Sequence, residues 1–137
     1  HEAGLPIAMD LARACGAALH LLMVVPTRDT LSGEGSASAL LLPAATAALL
    51  EMSRQAAADY LGRQAARAAA AGVAVTSEVQ RGEPAGTIAQ AAQAAHADLI
   101  VMATHGKTHT DAFWSGSVSP RVSSKTRRPL LLVPVSG

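Results

Sequence analysis

"DLIVMATHGKTHTDAFWSGSVSP", residues 98 to 120, runs from a short apolar segment through a loop into a helix start. Asp98 to Met102 reads as a buried strand. Gly106 follows, then nine residues, then Gly116-Ser117. Glycines at a strand-to-helix junction let the backbone approach a ligand, and a helix N-terminus attracts anions. The stretch therefore reads as a site for a phosphate-bearing ligand. A plainer reading stands beside it: Gly106 serves a turn, Ser117 caps the helix, and Pro120 occupies its first turn.

Working outward, helices and apolar strands alternate. Residues 5 to 15 have Pro6 in the first turn and Gly16 as a stop, so they form a helix. Residues 18 to 26 are an apolar run closed by a proline, a buried strand that includes Met23. A Ser- and Gly-rich loop covers Thr27 to Ser38. Residues 44 to 71 predict an Ala-rich helix anchored by Leu49, Met52, Tyr60 and Leu61 and ended by Gly72. Residues 73 to 79 alternate and are β-branched, a less buried strand. Arg81-Gly82-Glu83-Pro84 turns the chain into helix 84 to 95, and residues 98 to 104 are the next strand, with Met102 in the core. A helix from Val118 to Thr126 and a strand from 129 to 135 close the alternation. Such a pattern implies a parallel sheet covered on both faces, an α/β three-layer sandwich.

Composition narrows the function. A chain of 137 residues suffices for one domain with a proper core and is short for two. Hydrophobic residues make up 50% but aromatics only 2%, so Ala, Leu, Val and Ile must build the core. A net charge of +1 gives no global field toward nucleic acid or an anionic membrane. The basic run Lys125-Thr126-Arg127-Arg128 ends a helix, where cations complement the dipole. No apolar run approaches the roughly 20 residues that cross a bilayer. Cys15 is the single cysteine, and no leader segment is visible, so the expected compartment is the cytoplasm.

Taken together, "HLLMVVP", "RGEPAGTIAQAAQAAHADLIVMATHGKT" and "GSVSPRVSSKTRRPLLLVPV" resemble the universal stress protein family, across about residues 5 to 135. That family's nucleotide signature is Gly, two residues, Gly, nine residues, Gly, then Ser or Thr. Gly106, Gly116 and Ser117 match it with the spacing of nine intact, and Ala103 stands where the first glycine belongs. The resemblance implies a Rossmann-like, adenine nucleotide alpha hydrolase-like fold, with a five-stranded parallel sheet ordered 3-2-1-4-5. In open α/β sheets ligands sit beyond the carboxyl ends of strands where that order reverses. Members open with a central strand ending in an Asp, and nothing here matches it. Upstream residues, or else another chain, are expected to fill that slot.

Carried over by position, Val24 would contact adenine through its backbone. Met102, Ala103, His105 and Gly106 would line ribose and phosphates, and Lys107 would add a point charge. Gly116, Ser117, Val118 and Ser119 would donate to phosphate oxygens. The implied ligand is ATP, with or without Mg2+, held as a stress-response signal or switch. The alternative is a dimeric interaction module that binds no nucleotide, toward which Ala103 leans, since a methyl there costs affinity. A homodimer through Leu130 to Val135 is expected either way, because the family's last strand often pairs across a twofold axis.

Other chemistry finds little support in the residues. His105 and His109 are four apart, but no carboxylate or cysteine completes a metal set. Trp114 reads as a packing residue. No nucleophile–base pair or paired carboxylates stand out, with Asp10 and Glu51 on helices far from the loop. At most slow ATP hydrolysis is expected.

Overall fold

The computed structural model describes residues 3–25, 27–29, 43–105 and 118–135. Its first helix, α1 (Gly4–Cys15), buries Gly4, Ala8 and Ala12, a stripe of small residues at four-residue spacing. Gly16, left-handed at φ 64°, ends it and donates its N–H to the Ala12 carbonyl. Small side chains let helices approach closely. A Cβ on Gly4 would lie 3.5 Å from the Ala103 backbone nitrogen, so the first turn of α1 rests directly on a strand backbone.

The remaining elements are β1 (Leu19–Val25), α2 (Pro43–Ala70), β2 (Val75–Arg81), α3 (Pro84–Ala94), β3 (Ile100–His105), α4 (Val118–Lys125) and β4 (Leu130–Val135). This is the expected α/β alternation, with boundaries shifted by one or two residues. β2 starts later than residue 73 for a clear reason. Val73 is buried and gives its N–H to the Ala68 carbonyl at 3.0 Å, so it belongs to the exit turn of α2.

One expectation about α2 fails. Leu49 and Met52 are 48% and 67% exposed, while Leu50, Ala57, Leu61, Gln64 and Ala68 are buried. At 3.6 residues per turn, Leu49 lies about 100° and Met52 about 160° round the helix from Leu50. Alanines chose the buried face because they allow α2 to sit close. Leu61 is an anchor as expected, and Tyr60 is half-buried.

All strand pairing is parallel. β1 runs beside β2 from Leu19↔Val75 to Val25↔Arg81, and β3 beside β4 from Ile100↔Leu130 to His105↔Val135. The second ladder passes through Thr104↔Pro134, which is possible when the donor-free nitrogen of Pro134 faces the outer edge. The two pairs are separate: among the described residues β1 and β3 share no hydrogen bonds. Helices hold the pairs side by side. α1 packs on both β3 and β1, α2 on β2 and β1, and α3 on β1 and α4.

Each pair has its own small core. Ala12, Ala68 and Val73 close one with Met9, Leu19 and Val75. Ala85, Ala92, Ile100 and Val122 close the other with Ile88, Met102, Val118 and Leu130. Met102 is thus a core strand residue, as expected, but Met23 is 38% exposed. Among the described residues β1 has a ladder neighbour on one side only, so none of them flanks Met23 from the other side. The basic run is partly structural. The Arg128 guanidinium donates to the Ala97 carbonyl, and Lys125 sits in the last turn of α4.

Val122 is the largest fully buried side chain among the described residues. Val122→Ala should cost about 2 kcal/mol, combining lost transfer energy with a cavity. Met52→Ala should stay within about 0.5 kcal/mol. Urea unfolding of both variants checks this, and equal losses would contradict the assignment of the α2 face.

Candidate functional site

The turn after β2 organises the carboxyl ends of the strands. Gly82 sits at φ 152°, and its N–H points to the Val25 carbonyl at 3.4 Å, tying the turn to the end of β1. A Cβ at Gly82 would lie 2.5 Å from Thr87 Oγ1, so no side chain fits. Glu83 follows in extended conformation and caps α3: its carboxylate accepts from the Ala85 N–H at 3.1 Å and the Gly86 N–H at 2.7 Å. The same carboxylate accepts from Arg121 Nη2 on α4. The Gly86 N–H, then the Ala85 N–H and the Arg121 and Lys125 charges, hold the Glu83 carboxyl below the usual carboxylate range. These bonds put the ends of β1 and β2 and the beginning of α4 on one side of the molecule.

Some of the expected site residues are among the described ones. Val24 is half-buried, one residue before the end of β1. Met102 and Ala103 are half-buried on β3, and His105 is its last residue. Val118 and Ser119 form the first turn of α4, Val118 half-buried and Ser119 only 7% exposed. Gly106, Lys107, His109, Trp114, Gly116 and Ser117 lie outside the described residues, as does most of the loop expected from Thr27 to Ser38.

Two features were not anticipated from the residues. The start of α1 rests on Met102 and Ala103, and among the described residues it has no side-chain cap and no acidic residue in its first turn. The start of α3, by contrast, is closed by Glu83. The turn into α3 was legible as Gly82-Glu83-Pro84, though not the cap itself. The partner of Glu83, Arg121, 38 residues away, was not legible either.

A polar line also appears where none was expected. His20 Nε2 lies 2.9 Å from Glu78 Oε1 and His20 Nδ1 2.7 Å from Thr76 Oγ1. A carboxylate only accepts, so Nε2 carries the proton and, in the neutral ring, Nδ1 accepts from the Thr76 hydroxyl. Hydrogen bonds from Gln80 and then His20 hold the Glu78 carboxyl below its ordinary range. This line lies on the exposed face of β1 and β2, toward their amino ends. A cavity of about 220 Å³ lies elsewhere, between α1 and α2, lined by Leu5, Met9, Asp10, Arg13, Gln64 and Arg67. Among the described residues no cluster of His, Cys, Asp and Glu could hold a metal. No described helix is long and apolar enough to cross a membrane.

The family model described as the universal stress protein family matches residues 2–134. A universal stress protein of Methanocaldococcus jannaschii is 42% identical over 62 residues, which is 45% of this chain and 36% of that protein's length. The chain thus spans about a third of that relative. A solved protein of the same family from Burkholderia pseudomallei superposes with a TM-score of 0.70 at 24% identity, over 96% of this chain and 85% of that one. The universal stress protein from Archaeoglobus fulgidus, solved in complex with dAMP, gives 0.63 at 19% identity, over 96% and 86%. These likenesses establish a Rossmann-like fold.

The carboxylates make acid sensitivity an expected outcome. Glu51, held down first by Arg54, joins Glu78 and Glu83 in having its carboxyl lowered from an ordinary value of 4.5. A depressed folded-state pKa adds stability above the unfolded value and loses it as pH falls below. The thermal midpoint should drop between about pH 5 and about pH 3, and Glu83→Gln should flatten that drop. An acid limb of unchanged steepness in the variant would contradict the role given to Glu83.

Proposed function

The chain belongs to the universal stress protein family, and from that membership we propose that it holds an adenine nucleotide at the carboxyl ends of β1 and β3. The ligand is ATP, with or without Mg2+, and binding serves as a cytoplasmic stress-response signal or switch. The observation that carries this reading is the start of α1, which among the described residues has no side-chain cap and lies on the Met102–Ala103 backbone of β3. A helix start with open amides suits a phosphate. The dAMP held by the Archaeoglobus fulgidus protein supports the adenine nucleotide class.

In this proposal the Val24 backbone faces adenine. Met102, Ala103, His105 and Gly106 line ribose and phosphates, and Lys107 adds a charge. Gly116, Ser117, Val118 and Ser119 supply donors, Ser119 through its backbone because its side chain is buried. A strand from upstream residues, or from another chain, fills the lane between β1 and β3, whose facing edges share no ladder. Backbone groups along such an edge need partners.

A second reading, a dimeric interaction module without nucleotide, is favoured by Ala103, whose methyl occupies the place of a glycine. Both readings include a homodimer through Leu130 to Val135. Among the described residues β4 pairs with β3 alone, and Leu132 is 45% exposed on it.

Calorimetric titration with ATP and Mg2+, on protein that carries the intervening strand, should give binding at or below about millimolar. Gly116→Val should abolish it while leaving the fold intact. A flat wild-type titration would leave the interaction module, and unchanged affinity in the variant would make the loop structural only. Separately, Leu132→Lys should shift sedimentation toward monomer; a wild-type chain already monomeric at micromolar concentration would end the dimer.

A further inference from the structure

We infer that the Glu83–Arg121 pair is a positioning device: it fixes the first turn of α4 relative to the ends of β1 and β2. α4 has only eight residues, too few to hold its place by helix propensity. Val122 anchors it in the core of the β3–β4 pair, with no exposed surface. Val118 packs on that core too and Ser119 is buried beside it, so these contacts hold one face and leave a short helix able to pivot about it. Arg121 supplies a second attachment, on the residue next to Val122 and therefore about 100° round the axis.

The acceptor is already fixed. Glu83 is pinned by two amides of α3, and the turn before it is held by Gly82, whose N–H reaches Val25. The Arg121 fork therefore meets a carboxylate that has little freedom left to lose. The link runs from the turn after β2, at the start of α3, to the helix that follows β3. Both side chains stay partly in water, 45% and 41% exposed, and such pairs add little to global stability. The consequence of this one is where α4 sits. Arg121 is spent on Glu83 and does not turn to a ligand.

Resting on the nucleotide reading above, the pair also sets affinity for the phosphates while leaving the adenosine part untouched. Glu83→Gln keeps one acceptor for the cap and turns an amide toward Arg121; Arg121→Met removes the fork. The test uses the full chain in two arms. In hydrogen exchange without ligand, each variant should speed exchange of the α4 amides about tenfold at a nearly unchanged thermal midpoint. In titrations, each should weaken ATP about fivefold and adenosine less than about twofold, with the double variant no worse than either single. Arg121→Lys should recover part of the loss. Unaltered α4 exchange in both variants overturns the positioning role. So does a Glu83→Gln variant that binds ATP more tightly while Arg121→Met binds it less, because Arg121 would then be a direct phosphate contact. A wild-type chain that binds neither ATP nor adenosine overturns the nucleotide reading instead, and the exchange arm alone then decides the positioning claim.

Discussion

Among the described residues no ladder joins β1 to β3, and the fold of those residues depends on what holds the two strand pairs together. Two parallel pairs, each marginal by itself, must be held together by what lies across them. α1 does this by packing on both inner strands, and Gly4, Ala8 and Ala12 let it come close enough. α3 does it by lying on β1 and against α4. At the carboxyl rim the Glu83 carboxylate adds a polar tie between the two sides.

Small residues recur for the same reason. With almost no aromatic side chains, neither core can fill space with a few large groups, and Ala68, Ala85 and Ala91 are buried at helix–strand contacts instead. Close packing of small groups gains dispersion energy through many contacts, each tiny. It also leaves apolar strand residues partly open along the inner edges, where Met23 is the clearest case.

Much of this was legible in the residues. Gly16 and Gly72 marked helix ends because left-handed turns favour glycine, and both adopt positive φ. The alternation of helices with short apolar runs gave the parallel α/β class, since strands covered on both faces lose their polar alternation. The buried face of α2 was not legible, because an Ala-rich helix shows little contrast between its sides and Leu49 and Met52 drew attention by size alone. Long-range polar partners were equally hidden: His20 meets Thr76 and Glu78, more than fifty positions away, only through the β1–β2 register. Of the candidate site, the structure describes Val24, Met102, Ala103, His105, Val118 and Ser119, while the glycines that suggested the ligand fall outside the described residues.

The central claim is that an adenine nucleotide binds at the ends of β1 and β3, and amide chemical-shift mapping during an ATP titration tests it most directly. The account predicts that the amides of Val24, Ala103 and the first turns of α1 and α4 move together, saturating at one ligand concentration. Shifts confined to Met9, Gln64 and Arg67, around the cavity between α1 and α2, would contradict it.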